Sequence, residues 1–391
     1  MKKILLFTVA AATVMALTGC SQSSDLADTE VTTQTPISFD TYLAKTRAGD
    51  TGDITTNEAL QTKGFGLFGY YTGTNKFSSG VTPNFMYNTK VYGSNWNYSP
   101  MRYWSNNADD MFSFFAYAPY IDVTPNSGNT TDNTSGITAL SANSVSGAPY
   151  VQYKLSQNLT SSVDLLWGIK KSDNTTNAEM NTDLKKSSNA IGFTFKHALA
   201  KWGGADFLQA KIATDDAKFD PNITKITIEN ISINCPAQSL VTSGKFDLST
   251  GIWSDISPDN NSHILLSSKD EDLNPDIAEK NYSGITNWNN IKGLSTTASN
   301  VYKNNTMSLY FIPYATSTKA TVTVTYWTRT LDSNLQSGCT NVKQTITKDI
   351  QLPAFAANKK YTIILTIGLN TINFEAIPSE WTSDTSTSIN G

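Results

Sequence analysis

The sequence predicts an all-β protein made of β-sandwiches, on three observations. Many short segments alternate apolar and polar residues with period two, turn-rich stretches separate them, and no long segment keeps a helical period. Charged residues make up only 16% of the chain, against roughly 25% in an ordinary soluble domain. Thr, Ser, Asn, Tyr and Trp take their place, a composition that suits strands and polar loops. The 391 residues, 39% of them hydrophobic, suffice for two domains with real cores.

At the N-terminus, Lys2 and Lys3 precede an apolar stretch from Ile4 to Leu17, shorter than the ~20 residues a spanning helix needs. It ends in Leu17-Thr18-Gly19-Cys20, which has the shape of a lipobox. Residues 1–19 then read as a lipoprotein signal peptide. The Cys20 thiol would receive a diacylglyceryl group, and the small residues before it would admit the peptidase that cuts there. The alternative is an ordinary signal peptide with an incidental cysteine. Residues 21–35 are rich in Ser, Thr and Gln and read as a flexible tether. ISFDTYLAKTR (37–47) follows as a single strand, with Ile37, Phe39 and Leu43 on one face and Ser38, Asp40 and Tyr42 on the other. It ends at Arg47, and 48–53 is turn-rich.

Residues 63–73, KGFGLFGYYTG, contain G-x-G-x-x-G at Gly64, Gly66 and Gly69. A dinucleotide fingerprint needs a buried strand before it and a helix after it, with an acidic residue about 20 positions on. Here a polar segment, 55–63, with one helical turn at most, precedes the glycines, and Tyr70-Tyr71-Thr72-Gly73 follows. The period is two, so 64–72 reads as a strand whose glycines relieve crowding. Further strands are expected at 84–93, 101–106, 111–120, 150–155 and 163–171, around a polar loop at 122–149. Residues 172–190 read as a linker or long loop. Strands follow at 191–202, 207–214, 223–235 and 245–250. Asn274 and Pro275 suit the start of a short helix over 274–282. Strands at 308–315, 319–331, 342–353 and 359–377 close the chain; the clearest sets Val322, Val324 and Tyr326 against Thr321, Thr323 and Thr325.

The inventory of reactive groups is thin. The net charge is −4 and the arginines are Arg47, Arg102 and Arg329. No basic run exists, so no nucleic-acid partner is expected. His197 lies in a predicted strand and His263 in a polar loop, and no H-E-x-x-H, G-x-S-x-G or Walker A pattern occurs. No catalytic residue, cofactor or metal site is expected, and the protein does not read as an enzyme. KDEDLNPD (269–276) sets Asp270, Asp272, Asn274 and Asp276 in alternation. An EF-hand loop wants glycine at its sixth position and glutamate at its twelfth, where Pro275 and Asn281 stand. It reads as a solvated loop rather than a calcium site. Apart from Cys20 there are Cys235 and Cys339, which an exported protein can pair or keep as buried free thiols. The 8 Trp and 17 Tyr could offer a glycan-binding surface, but their place in alternating strands favours packing.

Taken in order, the lipobox LTGC, ISFDTYLAKTR, GFGLFGYYTG with NFMYNTKV, MRYW with FSFFAYAPY, and FKHALAKW with the closing YTIILTIGLNTINFEAIPSEW resemble the fimbrillin family. Its members are subunits of lipoprotein-derived adhesive pili on anaerobic Gram-negative surfaces. The resemblance implies two transthyretin-like β-sandwich domains in tandem. Residues 20–47 would then be tether and removable first strand, 48–186 the N-terminal sandwich and 187–391 the C-terminal one. It implies an outer-membrane lipoprotein precursor acylated (palmitate) at Cys20, then cut by an arginine-specific protease after Arg47 to leave Ala48 as the new N-terminus. Arg102 and Arg329 fall in predicted strands, so Arg47 is the accessible arginine; a merely solvated Arg47 is the alternative. Loss of 37–47 would open a groove that a strand from another fimbrial subunit fills, and the fimbrium would adhere to a host or bacterial surface ligand. A stalk subunit of this family continues past its last sheet strand with an apolar donor segment. Here the chain ends TSDTSTSING, which suits a tip or terminal subunit, unless INFEAI (372–377) itself swings out as donor. The reading from a different class is a monomeric surface lipoprotein that binds glycans.

Overall fold

The structure, a computed structural model, describes residues 34–43, 54, 56–130, 136–171, 179–204, 206–213, 220–268, 272–282, 288–303, 308–369 and 371–381. The signal peptide, Cys20, most of the tether, Arg47, Ala48, Asp270 and the tail after Trp381 lie outside the described residues.

The alternating segments do form strands. β1 (Phe39–Leu43) precedes a short helix, α1 (Asn57–Lys63). Then come β2 (Phe65–Gly73), β3 (Met86–Val91), β4 (Met111–Ala118), β5 (Ile137–Leu140), β6 (Tyr150–Lys154), β7 (Leu166–Lys170), β8 (Asn181–Leu184) and β9 (Ile191–His197). β10 (Ala200–Gly203), β11 (Leu208–Ile212), β12 (Thr224–Cys235), β13 (Val241–Asp247), β14 (Trp253–Pro258) and β15 (His263–Ser268) follow. β16 (Ser299–Asn300), β17 (Ser308–Phe311), β18 (Thr318–Thr330), β19 (Val342–Leu352), β20 (Lys359–Ile367) and β21 (Ile372–Glu380) complete the set.

Four sheets result. The first runs β1-β9-β7-β4-β2-β3, with β8 also on β4, and the second runs β14-β13-β6-β5. They meet where Trp167 donates its indole N–H to the Leu248 carbonyl at 2.8 Å and sets its ring against Phe246. In the third sheet β10 and β11 lie end to end along one side of β20, and β21 pairs the same residues of β20 from the other side. β21 is therefore an edge strand. The fourth sheet runs β15-β12-β18-β19, and Tyr326 on β18 reaches across to the Gly368 and Leu369 carbonyls that follow β20.

β4 shows why the first sheet holds two cores. Phe112 and Phe114 face a core closed by α1 and the segment after β3, while Phe115 and Tyr117 face the second, larger core. A strand buried on both faces reads as a nearly continuous apolar run. The glycines of β2 serve this crowding. A Cβ on Gly66 would lie 2.2 Å from Cε1 of Tyr117. Gly64 has φ of +73° and caps α1, whose N-terminal Thr56 hydroxyl accepts from the Ala59 amide. The helix thus precedes the strand, the reverse of a dinucleotide site.

Several expectations are corrected. β5 lies in the expected loop at 122–149 and β8 in the expected linker at 172–190. β9, beyond residue 187, belongs to the first sheet, and β13 pairs β6 in the second. The division expected at 186/187 therefore does not separate the sheets. Residues 101–106 form no strand, only a bridge at Tyr103 to Pro36. The helix expected over 274–282 shrinks to a 3-10 turn at Glu279–Asn281. Ala278 stays extended to bridge Ile228, and the Glu279 carboxylate turns inward to Arg329 Nη1 at 2.7 Å. Nearby, Asn274 spends its side chain on the Asn300 carbonyl and the Asp276 amide, and Asp276 pairs with Lys292 at 2.8 Å. His263 opens a buried strand rather than sitting in a loop, with Nε2 3.1 Å from Asp259.

The disulfide left open between Cys235 and Cys339 does not form. Cys235 closes β12, whereas Cys339 bridges Leu331 just past β18. Those strands are antiparallel, with Asn234 opposite Thr321 and Thr224 opposite Thr330. The thiols stand at opposite ends of a ladder about ten residues, or ~30 Å, long, and a bridge needs Cα atoms within ~7 Å. Both are free and buried, and burial pushes the Cys235 thiol up to about 12.

Two outcomes are expected. An alkylating reagent should modify Cys235 and Cys339 only after denaturation and without prior reduction, as read by peptide mass. Gly66→Ala should cost about 1–3 kcal/mol in urea unfolding, because the added methyl overpacks against Tyr117.

Candidate functional site

The most unusual local arrangement surrounds the first strand. β1 pairs in parallel with β9, from Phe39 opposite Ile191 to Leu43 opposite Phe195. Its alternation puts Phe39, Thr41 and Leu43 inward and leaves Tyr42 46% exposed. The Phe39 ring sits 5.3 Å from Tyr98, 5.7 Å from Phe114 and 6.4 Å from Phe193. Ile37 and Leu43 are buried on either side of it. Each such side chain is worth roughly 1.5–3 kcal/mol when fully buried.

The segment joining β3 to β4 folds over the start of this strand. The Ile37 amide donates to the Arg102 carbonyl at 2.9 Å, and the Trp104 amide donates to the Thr35 carbonyl at 3.0 Å. The Tyr98 hydroxyl donates to the Ile37 carbonyl at 2.8 Å. Burial raises the Tyr98 phenol above its usual range, so it remains protonated and able to donate. From the other side the Ile191 amide donates to the Ser38 carbonyl, and Asp40 pairs with Lys171 at 2.7 Å across a half-exposed surface. Two buried polar groups here find no partner among the described residues: the Thr41 hydroxyl and the Trp104 indole N–H.

This strand is a plug. It seats through side chains and one β-edge, and residues 44–53, which include Arg47, separate it from the rest of the chain. Were it removed, β9 would present an unpaired edge above an aromatic floor of Phe114, Phe193 and Phe195. Chemically the site can bind an extended segment through main-chain hydrogen bonds, with register fixed by inward side chains.

The remaining sequence-derived candidates sort plainly. Arg329 is 3% exposed and held by Glu279 and Thr227, so it is closed to a protease. Arg102 is not in a strand, and its side chain is exposed, a correction to its expected protection by a sheet. His197 ends β9 as a packed residue, with Nδ1 2.6 Å from Asp164 and its ring stacked 3.6 Å from Trp381. Sequence reasoning missed Tyr98 and Lys171 as partners of β1, because nothing in a single chain marks which distant residues meet a strand.

An all-β chain of several sheets whose N-terminal strand pairs in parallel with the edge of β9 defines the class of protein. The description Fimbrillin-like matches residues 46–381, and the chain belongs to the fimbrillin-like family. In structure it is similar to a fimbrial protein from Bacteroides vulgatus, with a TM-score of 0.63 at 24% identity over 89% of this chain and 99% of that one. It is also similar to a fimbrilin from Porphyromonas gingivalis, with a TM-score of 0.35 at 11% identity over 90% of this chain and 99% of that one. A search of curated proteins gives no match.

Two substitutions check how the plug is held. Phe39→Ala should destabilise it by about 3–5 kcal/mol. Thr41→Val, which deletes the stranded hydroxyl at equal volume, should stabilise it by about 1 kcal/mol. Both are read as amide-exchange protection of residues 37–43.

Proposed function

We propose that the chain is a structural subunit of a cell-surface fimbrium, built of two transthyretin-like sandwiches and assembled by β-strand exchange. It is made as a lipoprotein acylated at Cys20 and carried to the outer membrane. An arginine-specific protease then cuts after Arg47, freeing β1 and leaving Ala48 first. Other fimbrial subunits are its partners, and adhesion to surface ligands follows from the assembled fimbrium.

One observation carries the choice of donor. The plug reads Ile37-Ser38-Phe39-Asp40-Thr41, and β21 reads Ile372-Asn373-Phe374-Glu375-Ala376. Aligned this way, Ile372 would take the place of Ile37, and Phe374 would enter the aromatic site of Phe39. Glu375 would meet Lys171, and Ala376 would replace Thr41 without stranding a hydroxyl. β21 already lies at a sheet edge with Ile372 buried and Ile377 42% exposed. INFEAI of one copy therefore fits the seat of another, and a donor beyond Trp381 is not required. The apolar departure is Pro378 in place of Leu43. Trp202, Tyr117, Tyr153 and Tyr326 are fully buried and no tryptophan among the described residues is exposed. The exposed large aromatics are Tyr42, Tyr71, Tyr92, Tyr103 and Tyr314, so most of the aromatic content serves packing, which favours the subunit reading.

The mature N-terminus recovered from cells is expected at Ala48; a chain beginning only at Cys20 would sink the processing step. Processed protein should form oligomers that survive cold detergent and fall apart on heating. Phe374→Asp should abolish them without unfolding the monomer. Glu375→Lys should weaken them, and Lys171→Glu in the same chain should restore them by reversing the charge pair.

A further inference from the structure

We propose that the Arg102–Tyr103 peptide bond is a second arginine-directed cleavage site, shut while the plug's seat is filled and opened when it is empty. This rests on the strand-removal reading above. Its starting point is the scarcity of arginine: an arginine-specific protease meets only Arg47, Arg102 and Arg329. Arg329 is buried in the fourth sheet. Arg102 is exposed, with Met101 50% and Tyr103 42% exposed beside it. Side-chain access is thus already present, and what protects the bond is its backbone.

That protection comes from the plug. The Arg102 carbonyl accepts from the Ile37 amide, Tyr103 bridges Pro36, and the Trp104 amide donates to Thr35. The Arg102 amide donates to the Tyr98 hydroxyl, which in turn is held by the Ile37 carbonyl. Among the described residues, the backbone hydrogen bonds of 99–104 go to residues 35–37 and to the Tyr98 hydroxyl, which also donates to the Arg102 carbonyl at 3.4 Å. The flanks are anchored independently: Trp96 packs 5.7 Å from Phe65 and Trp104 packs 5.2 Å from Phe112. An empty seat therefore releases a short span between two fixed points, rather than unfolding the sheet. A protease needs an extended, unpaired backbone, and exposed loops that have lost their partners are where nicking concentrates.

Hydrolysis there consumes one water, leaving a carboxylate on Arg102 and an amine on Tyr103. It also divides the segment that carries Tyr98 from the one that carries Trp104, and so destroys a wall of the seat. The protease that opens the seat at Arg47 would then eliminate subunits whose seat stays empty, while a donor strand in place protects its acceptor.

The test is a time course of the full-length chain with a purified arginine-specific endopeptidase, read by N-terminal mass of the products. Ala48 is expected to appear first and Tyr103 at least tenfold more slowly. Excess synthetic peptide of residues 35–43 should slow the Tyr103 cut a further tenfold and leave the Ala48 cut unchanged. In full-length Phe39→Glu, which unseats the plug, the Tyr103 cut should accelerate at least tenfold while Arg329 stays intact. Cleavage at Arg329 would report global unfolding; Ile37→Ala then replaces that variant in the same comparison. Equal rates at Arg47 and Arg102 in the intact chain would overturn the proposal. So would an Arg102 rate that neither the peptide nor the variant changes. Peptide 35–43 is the chain's own strand, so its effect is independent of any donor. A peptide of residues 371–380 that fails to protect where 35–43 succeeds counts against β21 as donor alone.

Discussion

The first core depends on one contact set, the Phe39 ring among Tyr98, Phe114 and Phe193. It joins the edge of β9 to the centre of β4 and to the segment that leads from β3 into β4. An aromatic at that point buries a large area against the floor of the sheet, while the main chain on either side satisfies β9. A sheet edge over an aromatic floor cannot stay bare in water, so it must be covered. The fold fixes that requirement without fixing who meets it, because the cover is an extended segment with the correct alternation.

Much of the strand content was legible because inward and outward residues alternate cleanly. Val322, Val324 and Tyr326 are fully buried, and Thr323 and Thr325 on the other face bond across to Thr347 and Thr345. The short pieces were not legible. Ile137–Leu140 and Asn181–Leu184 carry four residues each, too few for a period to show against Ser- and Asn-rich surroundings. Their pairing comes from neighbours already in place, a tertiary effect on weak local preference. The sheet boundary was hidden for a related reason. β9 and β10 sit in one uninterrupted strand-like stretch with no turn residue between them, and only the bend at Ala198 and Leu199 passes the chain from the first sheet to the third.

At the site itself, sequence alone marked β1 as a lone amphipathic strand ending near an arginine, and the structure supplied its partners. Residues 101–106 misled because Met101, Tyr103 and Trp104 have strand-like side chains, yet the segment pairs only through bridges to 35–37. Its order is borrowed from the plug. The Asp164–His197–Trp381 cluster was equally invisible as a group, since its members are far apart in sequence and meet where β9 ends.

β21 makes the two ends of the chain chemically alike. As an edge strand it is a liability for unwanted pairing, which Pro378, Glu375 and Glu380 blunt, since proline and charge are the common defences of exposed edges. In its own sheet it buries only one side of its backbone and is held at its end by Trp381 on His197. In the seat of another copy, the same Ile-x-Phe spacing would meet a deeper aromatic floor and an opposite charge at Lys171. The native plug, by contrast, strands the Thr41 hydroxyl, a defect worth about 1–3 kcal/mol in a buried site. In the proposed exchange a precursor would gain from this mismatch. The plug would keep the seat closed while tethered, because its local concentration is high. With the tether cut that advantage would be gone, and Ala376 in place of Thr41 would tilt the equilibrium toward the incoming strand.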